Sequence, residues 1–130
     1  MAYTLAKERM TTVDEALVRA CNLAHDYYAR NMSPNALMAE SGFREHRGAI
    51  DVEKIRKHVV AHPKLIGDWM GYSENKRVSS GWYFSADSVD GPYVVGYFPT
   101  SDPSKKEKKY SDEIEACAIY IKRELESIAA

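Results

Sequence analysis

The sequence predicts a single α+β domain in which an antiparallel aromatic β-hairpin is packed by N-terminal helices and a C-terminal amphipathic helix. Three observations carry this. Apolar residues recur at three- and four-residue steps in the N-terminal half and again near the C-terminus, the period of helices with one buried face. Between them, Gly81-Trp82-Tyr83-Phe84-Ser85-Ala86 and Tyr93-Val94-Val95-Gly96-Tyr97-Phe98 are two runs of strand-forming residues separated by turn chemistry at Asp87 to Pro92. The chain has 130 residues, 45% hydrophobic and 28% charged. That is enough to bury roughly two-thirds of the unfolded surface in one core, and two domains of half this length would each be poorly stabilised. A helical part over about 12–71 and a hairpin-plus-helix part over about 76–130 therefore share one domain.

The first helix is expected from Val13 to Arg30. Thr12 and Glu15 have capping-box spacing, and Val13, Ala16, Leu17, Ala20, Cys21, Ala24 and Tyr28 form the core stripe. Ser33-Pro34 can open a short second helix, with Ser as N-cap and Pro at the first helical position, and Gly42 closes it. Phe43 to Gly48 shows no period and reads as a polar loop. Asp51 is the N-cap of the next helix, flanked by Ile50 and Ile55 in the positions of a hydrophobic staple. Pro63 disfavours a helical His62, so the helix breaks there and restarts with Leu65, Ile66, Trp69 and Met70 buried, ending at Gly71. The hairpin follows, with room for a third strand around Lys76 to Ser79. Pro99 to Lys109 reads as a loop. The last helix starts at Ser111, its acidic first turn complementing the dipole. Its stripe is Ile114, Cys117, Ala118, Ile121, Leu125 and Ile128, opposite Lys122, Arg123, Glu124 and Glu126. That stripe can close a core or a two-fold interface, so the oligomeric state stays open.

Composition also excludes functions. No apolar stretch approaches the roughly 20 residues needed to cross a bilayer. The N-terminus meets Lys7, Glu8 and Arg9 before any apolar signal region forms, so the cytoplasm is the expected compartment. Net charge is −1, and neither half is strongly basic: residues 1–70 hold ten Lys/Arg against nine Asp/Glu, and 71–130 eight against ten. Duplex DNA is therefore not an expected partner. Cys21 and Cys117 fall on helical apolar stripes and read as small hydrophobes rather than a disulfide or a nucleophile. Cys21 lies one turn before His25, but burial would silence the thiol. No glycine-rich phosphate cradle is present, and the paired carboxylates Asp14/Glu15 and Glu124/Glu126 read as solvated helix faces. No catalytic residue and no cofactor are expected.

Three functional readings follow. The preferred one is a small non-enzymatic binding protein, of inhibitor, immunity or adaptor type, that docks on a protein or protein complex. Nine tyrosines, two tryptophans and three phenylalanines make up 11% of the chain, and such residues carry much of the energy at interfaces. Its expected contact residues are Trp82, Tyr83, Tyr93 and Tyr97 with the loop lysines Lys105, Lys106, Lys108 and Lys109. The second is a metal-binding protein or enzyme using His58 and His62, whose i,i+4 spacing lets two imidazoles share an ion. The residue after His58 is Val59 rather than a glutamate, and no third ligand is fixed by spacing. The third is single-stranded nucleic-acid binding, with the lysine loop tracking the backbone and the hairpin rings stacking on bases.

From Gly81 to Ile128 the chain also resembles, loosely, small bacterial and phage proteins: a Gly-Trp-aromatic strand, a Gly-containing turn, a second strand, then a helix opened near Glu115-Ala116. Pro99 to Lys109 is longer than the joint expected in that pattern. The resemblance implies that inhibitors of host-defence complexes and toxin-immunity proteins belong among the candidates, and it assigns no residue a role.

Overall fold

The computed structural model describes residues 11–75, 81–98 and 107–130. Seven helices and three strands are seen among them, in an α+β arrangement with an antiparallel three-stranded sheet packed against N- and C-terminal helices.

Helix α1 (Val13–Cys21) opens on the expected capping box. The Thr12 hydroxyl accepts from Glu15 N at 3.1 Å, and the Glu15 carboxylate accepts from Thr12 N at 2.9 Å. The expected single helix is interrupted at Asn22, after which α2 (Leu23–Ala29) continues. The interruption changes which residues face inward. Tyr28, placed on the stripe by periodicity, is 52% exposed, while Tyr27 packs against the core. Helix α3 (Pro34–Ser41) has Ser33 as N-cap and ends at Gly42, whose φ of +82° explains the glycine.

Phe43 to Gly48 is not the expected loop. Phe43–His46 forms a single helical turn, α4, which places the fully buried Phe43 in the core. Arg44 then donates to the terminal carbonyls Ala129 O and Ile128 O of the last helix. Helix α5 (Val52–Ala61) is capped by Asp51, and His62 interrupts it as expected. Helix α6 (Lys64–Asn75) runs past Gly71, where the sequence suggested a stop. The next turn is retained because Tyr72 and Ser73 are buried, and such burial outweighs the roughly 1 kcal/mol cost of a helical glycine.

Strands β1 (Gly81–Ala86) and β2 (Tyr93–Phe98) pair antiparallel with Gly81 opposite Phe98 and Ala86 opposite Tyr93, at the expected bounds. The third strand, β3 (Lys108–Tyr110), pairs with the other edge of β2, placing Tyr110 opposite Tyr93. It comes from the segment read as a loop. Its charged composition carries no strand signal, and pairing plus the packing of Tyr110 on the core supply what propensity does not. The strand expected around Lys76 to Ser79 lies outside the described residues. Helix α7 (Glu113–Ala129) is capped by Asp112, whose carboxylate accepts from Ile114 N at 2.9 Å.

Helix α7 is the central element. It packs against α5, α6 and the sheet, and Ala116, Cys117, Ala118, Tyr120, Ile121 and Leu125 along it are buried. A chain of aromatic contacts runs through this core. Phe84 stacks on Tyr120 at 5.7 Å, and Tyr120 meets Trp69 at 5.9 Å. Trp69 then meets Tyr72 at 5.3 Å, and Tyr72 meets Tyr27 at 5.4 Å. The Trp69 indole N–H donates to Cys21 O at 2.8 Å, so the largest core side chain leaves no buried donor unpaired.

Glu124 overturns its sequence reading. It is 2% exposed and accepts a hydrogen bond from the Tyr72 hydroxyl at 2.8 Å. Its position, seven residues after Cys117 and three after Ile121, puts it in the middle of the apolar stripe rather than opposite it. Glu126 is half-buried rather than freely solvated, paired with Arg47 and with Lys122 at 2.8 Å. No helix among the described residues is long and apolar enough to cross a membrane.

Candidate functional site

Because side chains alternate across a strand, the register divides the hairpin rings between two faces. Trp82, Phe84, Tyr93, Val95, Tyr97 and Tyr110 share one face. Tyr83, Ser85, Val94, Gly96, Phe98 and Lys109 share the other. The first face is the one α7 seals. Phe84 and Val95 are buried, Trp82, Tyr93 and Tyr110 pack against the core, and the Arg123 guanidinium sits 4.5 Å from the Trp82 ring centre. Tyr97 meets Trp82 edge-on at 5.2 Å. At the outer edge of β1, Ser73 of α6 accepts the Phe84 N–H at 2.7 Å, satisfying a donor that the ladder leaves free.

Among the described residues, the second face contributes none to the hydrophobic core cluster. Val94 is buried there but stands apart from that cluster, with Ser85 and Lys109 as its cross-strand neighbours. Tyr83 lies across Gly96, so closely that a β-carbon at Gly96 would sit 2.5 Å from the Tyr83 hydroxyl. The glycine is thus a seat for the ring. The Tyr83 hydroxyl donates to the Glu107 carboxylate at 2.6 Å, which fixes the ring along the face. Phe98 is 46% exposed. Lys109 pairs with Asp87 across the sheet at 3.3 Å.

The residues singled out from the sequence are therefore not one patch. Trp82, Tyr93 and Tyr97 belong to the face that α7 covers, and Tyr83 to the other, all four half-buried. Lys108 and Lys109 lie in β3 and are exposed, pointing to opposite faces, while Lys105 and Lys106 lie outside the described residues. Phe98 was not singled out as a contact residue, although the period-2 alternation already placed it with Tyr83's neighbour Gly96.

His58 and His62 do meet, with ring centres 4.5 Å apart. His58 is half-buried, and burial followed by the neighbouring His62 pushes its pKa below the ordinary histidine value. Among the described residues no group of three His, Cys, Asp or Glu side chains could complete a metal site. Cys21 and Cys117 are free and buried. Burial pushes the Cys21 thiol up to about 12 and raises Cys117 as well, so neither is a thiolate near neutrality. No family model, no curated protein and no solved structure matches the chain.

Proposed function

We propose that the chain is a non-enzymatic binding module that docks on a protein partner through the outer face of its sheet, around Tyr83 and Phe98. One observation carries this reading: α7 and the core take up Trp82, Phe84, Tyr93 and Tyr110 of one sheet face, while Tyr83 and Phe98 stand on the other, outside that cluster. Gly81 is opposite Phe98 and Gly96 opposite Tyr83, so the two rings are diagonal neighbours flanked by residues without side chains. Such a shallow aromatic surface, rimmed by Glu107 and Lys109, has the composition of an interface centre with a polar margin. Tyrosine held by a hydrogen bond also loses little conformational freedom on binding.

Both thiols are buried, and burial raises their pKa, so neither is a nucleophile near neutrality. A photo-activated cross-linking residue placed at Phe98, in cells of the native host, should give a discrete adduct with a protein. The same residue at Val60, 52% exposed against 46% for Phe98 but on α5, should not. Indistinguishable patterns at the two positions would remove the reading.

A further inference from the structure

At the C-terminal end of α5 the sequence sets His58 and His62 one helical turn apart, and the backbone holds them there. His62 leaves the helix before Pro63, with φ −135° and ψ 71°, yet its N–H still donates to His58 O at 2.9 Å and to Val59 O at 3.1 Å. The last turn is therefore closed, and the two rings meet with centres 4.5 Å apart and planes inclined by 44°. His62 is exposed and His58 half-buried, so the pair opens to solvent within a fully described stretch of chain, 51–75.

Two imidazoles on one ion must satisfy a definite separation. With metal–nitrogen bonds of about 2.0–2.1 Å each ring centre lies about 3 Å from the ion, and bond angles of roughly 90–110° then put the centres about 4.5–5 Å apart. The observed distance falls at the short end of that range, so turning the rings is enough and the backbone need not move. Burial, and then the neighbouring His62, hold the His58 pKa below the ordinary histidine value, which leaves its ring neutral near neutrality with a lone pair to give. Lys54 lies one turn before His58 and Lys57 next to it in sequence, both exposed, and they oppose a cation held by charge alone. Nitrogen coordination selects instead a borderline transition ion that bonds to imidazole, whereas magnesium and calcium prefer oxygen ligands.

We propose that His58 and His62 form a two-imidazole chelate for a divalent first-row transition ion of the zinc, nickel or copper class, with water filling the remaining positions. No third His, Cys, Asp or Glu among the described residues completes the set, so the ion exchanges with solvent and is not a structural zinc. Bound, it bridges His58 to His62 across the last turn of α5 and fixes the point where the chain leaves the helix before Pro63. Because both rings ride on one turn, the second nitrogen is presented intramolecularly once the first has bound, and losing either ring forfeits that gain. The chelate rests on α5 alone, and failure of the cross-linking experiment leaves it intact.

The test is a titration of the intact protein, purified without a histidine tag, with zinc chloride, read by NMR at the histidine rings. Zinc should shift His58 and His62 together, saturating at one ion per chain, and should slow amide exchange at His62, while magnesium chloride should do neither. His62→Gln, at an exposed position, should weaken zinc binding about tenfold or more, and His58→Gln should do the same. His25→Gln, at an exposed position on α2, should leave it unchanged. Zinc should raise the melting temperature of the parent and not that of His62→Gln, because a ligand that binds only the folded state stabilises it. Zinc binding that survives both substitutions, or ring shifts that never saturate, would overturn the assignment.

Discussion

The two faces of the sheet are built from the same eighteen-residue stretch, 81–98, with rings on both, yet they have opposite fates. On one, Phe84 stacks on Tyr120 at 5.7 Å with the rings inclined by 25°, and Val95 sits beneath α7. On the other, Tyr83 folds down on its own sheet, over Gly96, and Phe98 stays 46% exposed. Aromatic content alone therefore does not mark a surface for a partner. What separates the faces is whether a helix brings side chains that fit between the rings. α7 does so with alanines at 116 and 118 that let it approach closely and Tyr120 that fills the gap.

The most decisive way to break this contrast is to truncate one ring on each face. Phe84→Ala should cost about 3–5 kcal/mol in urea denaturation, because it leaves a cavity against Tyr120. Phe98→Ala should cost less than about 1 kcal/mol, as exposed substitutions do. Comparable losses would mean that the outer face is as structural as the inner one. Gly96→Ala should come next, at about 1–3 kcal/mol. Its β-carbon would meet the Tyr83 hydroxyl at 2.5 Å and Glu107 Cβ at 2.9 Å, and only the ring can swing clear. Tyr83→Ala should restore much of that loss in a double-mutant cycle, which shows whether the outer face is held by this one contact.

The contrast also shows what periodicity can and cannot reveal. Strand bounds and side-chain alternation were readable because Gly, Pro and Asp bracket the two runs, and the helix caps were readable because Thr12, Ser33 and Asp51 act within their own turn. Which face is sealed was not readable, since large residues lie on both and the decision is made by α7, tens of residues away. The same non-locality hid β3, whose lysines have no strand propensity until β2 offers an edge. It also hid the helical turn at Phe43 and the continuation past Gly71, both retained by burial. Glu124 is a different failure. Its spacing puts it on the apolar stripe while its charge predicts a solvated face, and Tyr72 decides between them by supplying a buried donor. The inward tyrosine of α2 differs from the periodic reading because the break at Asn22 shifts the inward face from Tyr28 to Tyr27, and a continuous helix carries no sign of it.

A smaller effect tests the helix that does the sealing. Asp112→Ala removes the acceptor for Ile114 N and Glu115 N, and the cost should be about 1 kcal/mol in the same denaturation measurement. The loss should be felt first at β3 and Tyr110, which lie next to the start of α7, and hydrogen exchange of the β3 amides should quicken more than that of β1. If β1 and β3 loosen equally, α7 holds the sheet as a unit and not strand by strand.

The smallest expected effect separates helices from sheet by acid. All four histidines lie in the helical half, and the described strands have none. Burial and His62 lower the folded-state pKa of His58 below its unfolded value. As pH falls through the ordinary histidine range of about 6.5, the unfolded chain binds a proton that the folded chain refuses, so stability drops, and the drop ends once the pH is below the folded pKa. Above the unfolded pKa both states are neutral and the group contributes no slope. His58→Gln should flatten this step of the stability profile between neutral pH and the folded pKa, while leaving the ratio of the Phe84→Ala and Phe98→Ala losses unchanged. A step that survives the substitution would place the proton uptake at another histidine, and a change in that ratio would show that the end of α5 and the sealed face of the sheet are coupled through α7, on which both pack.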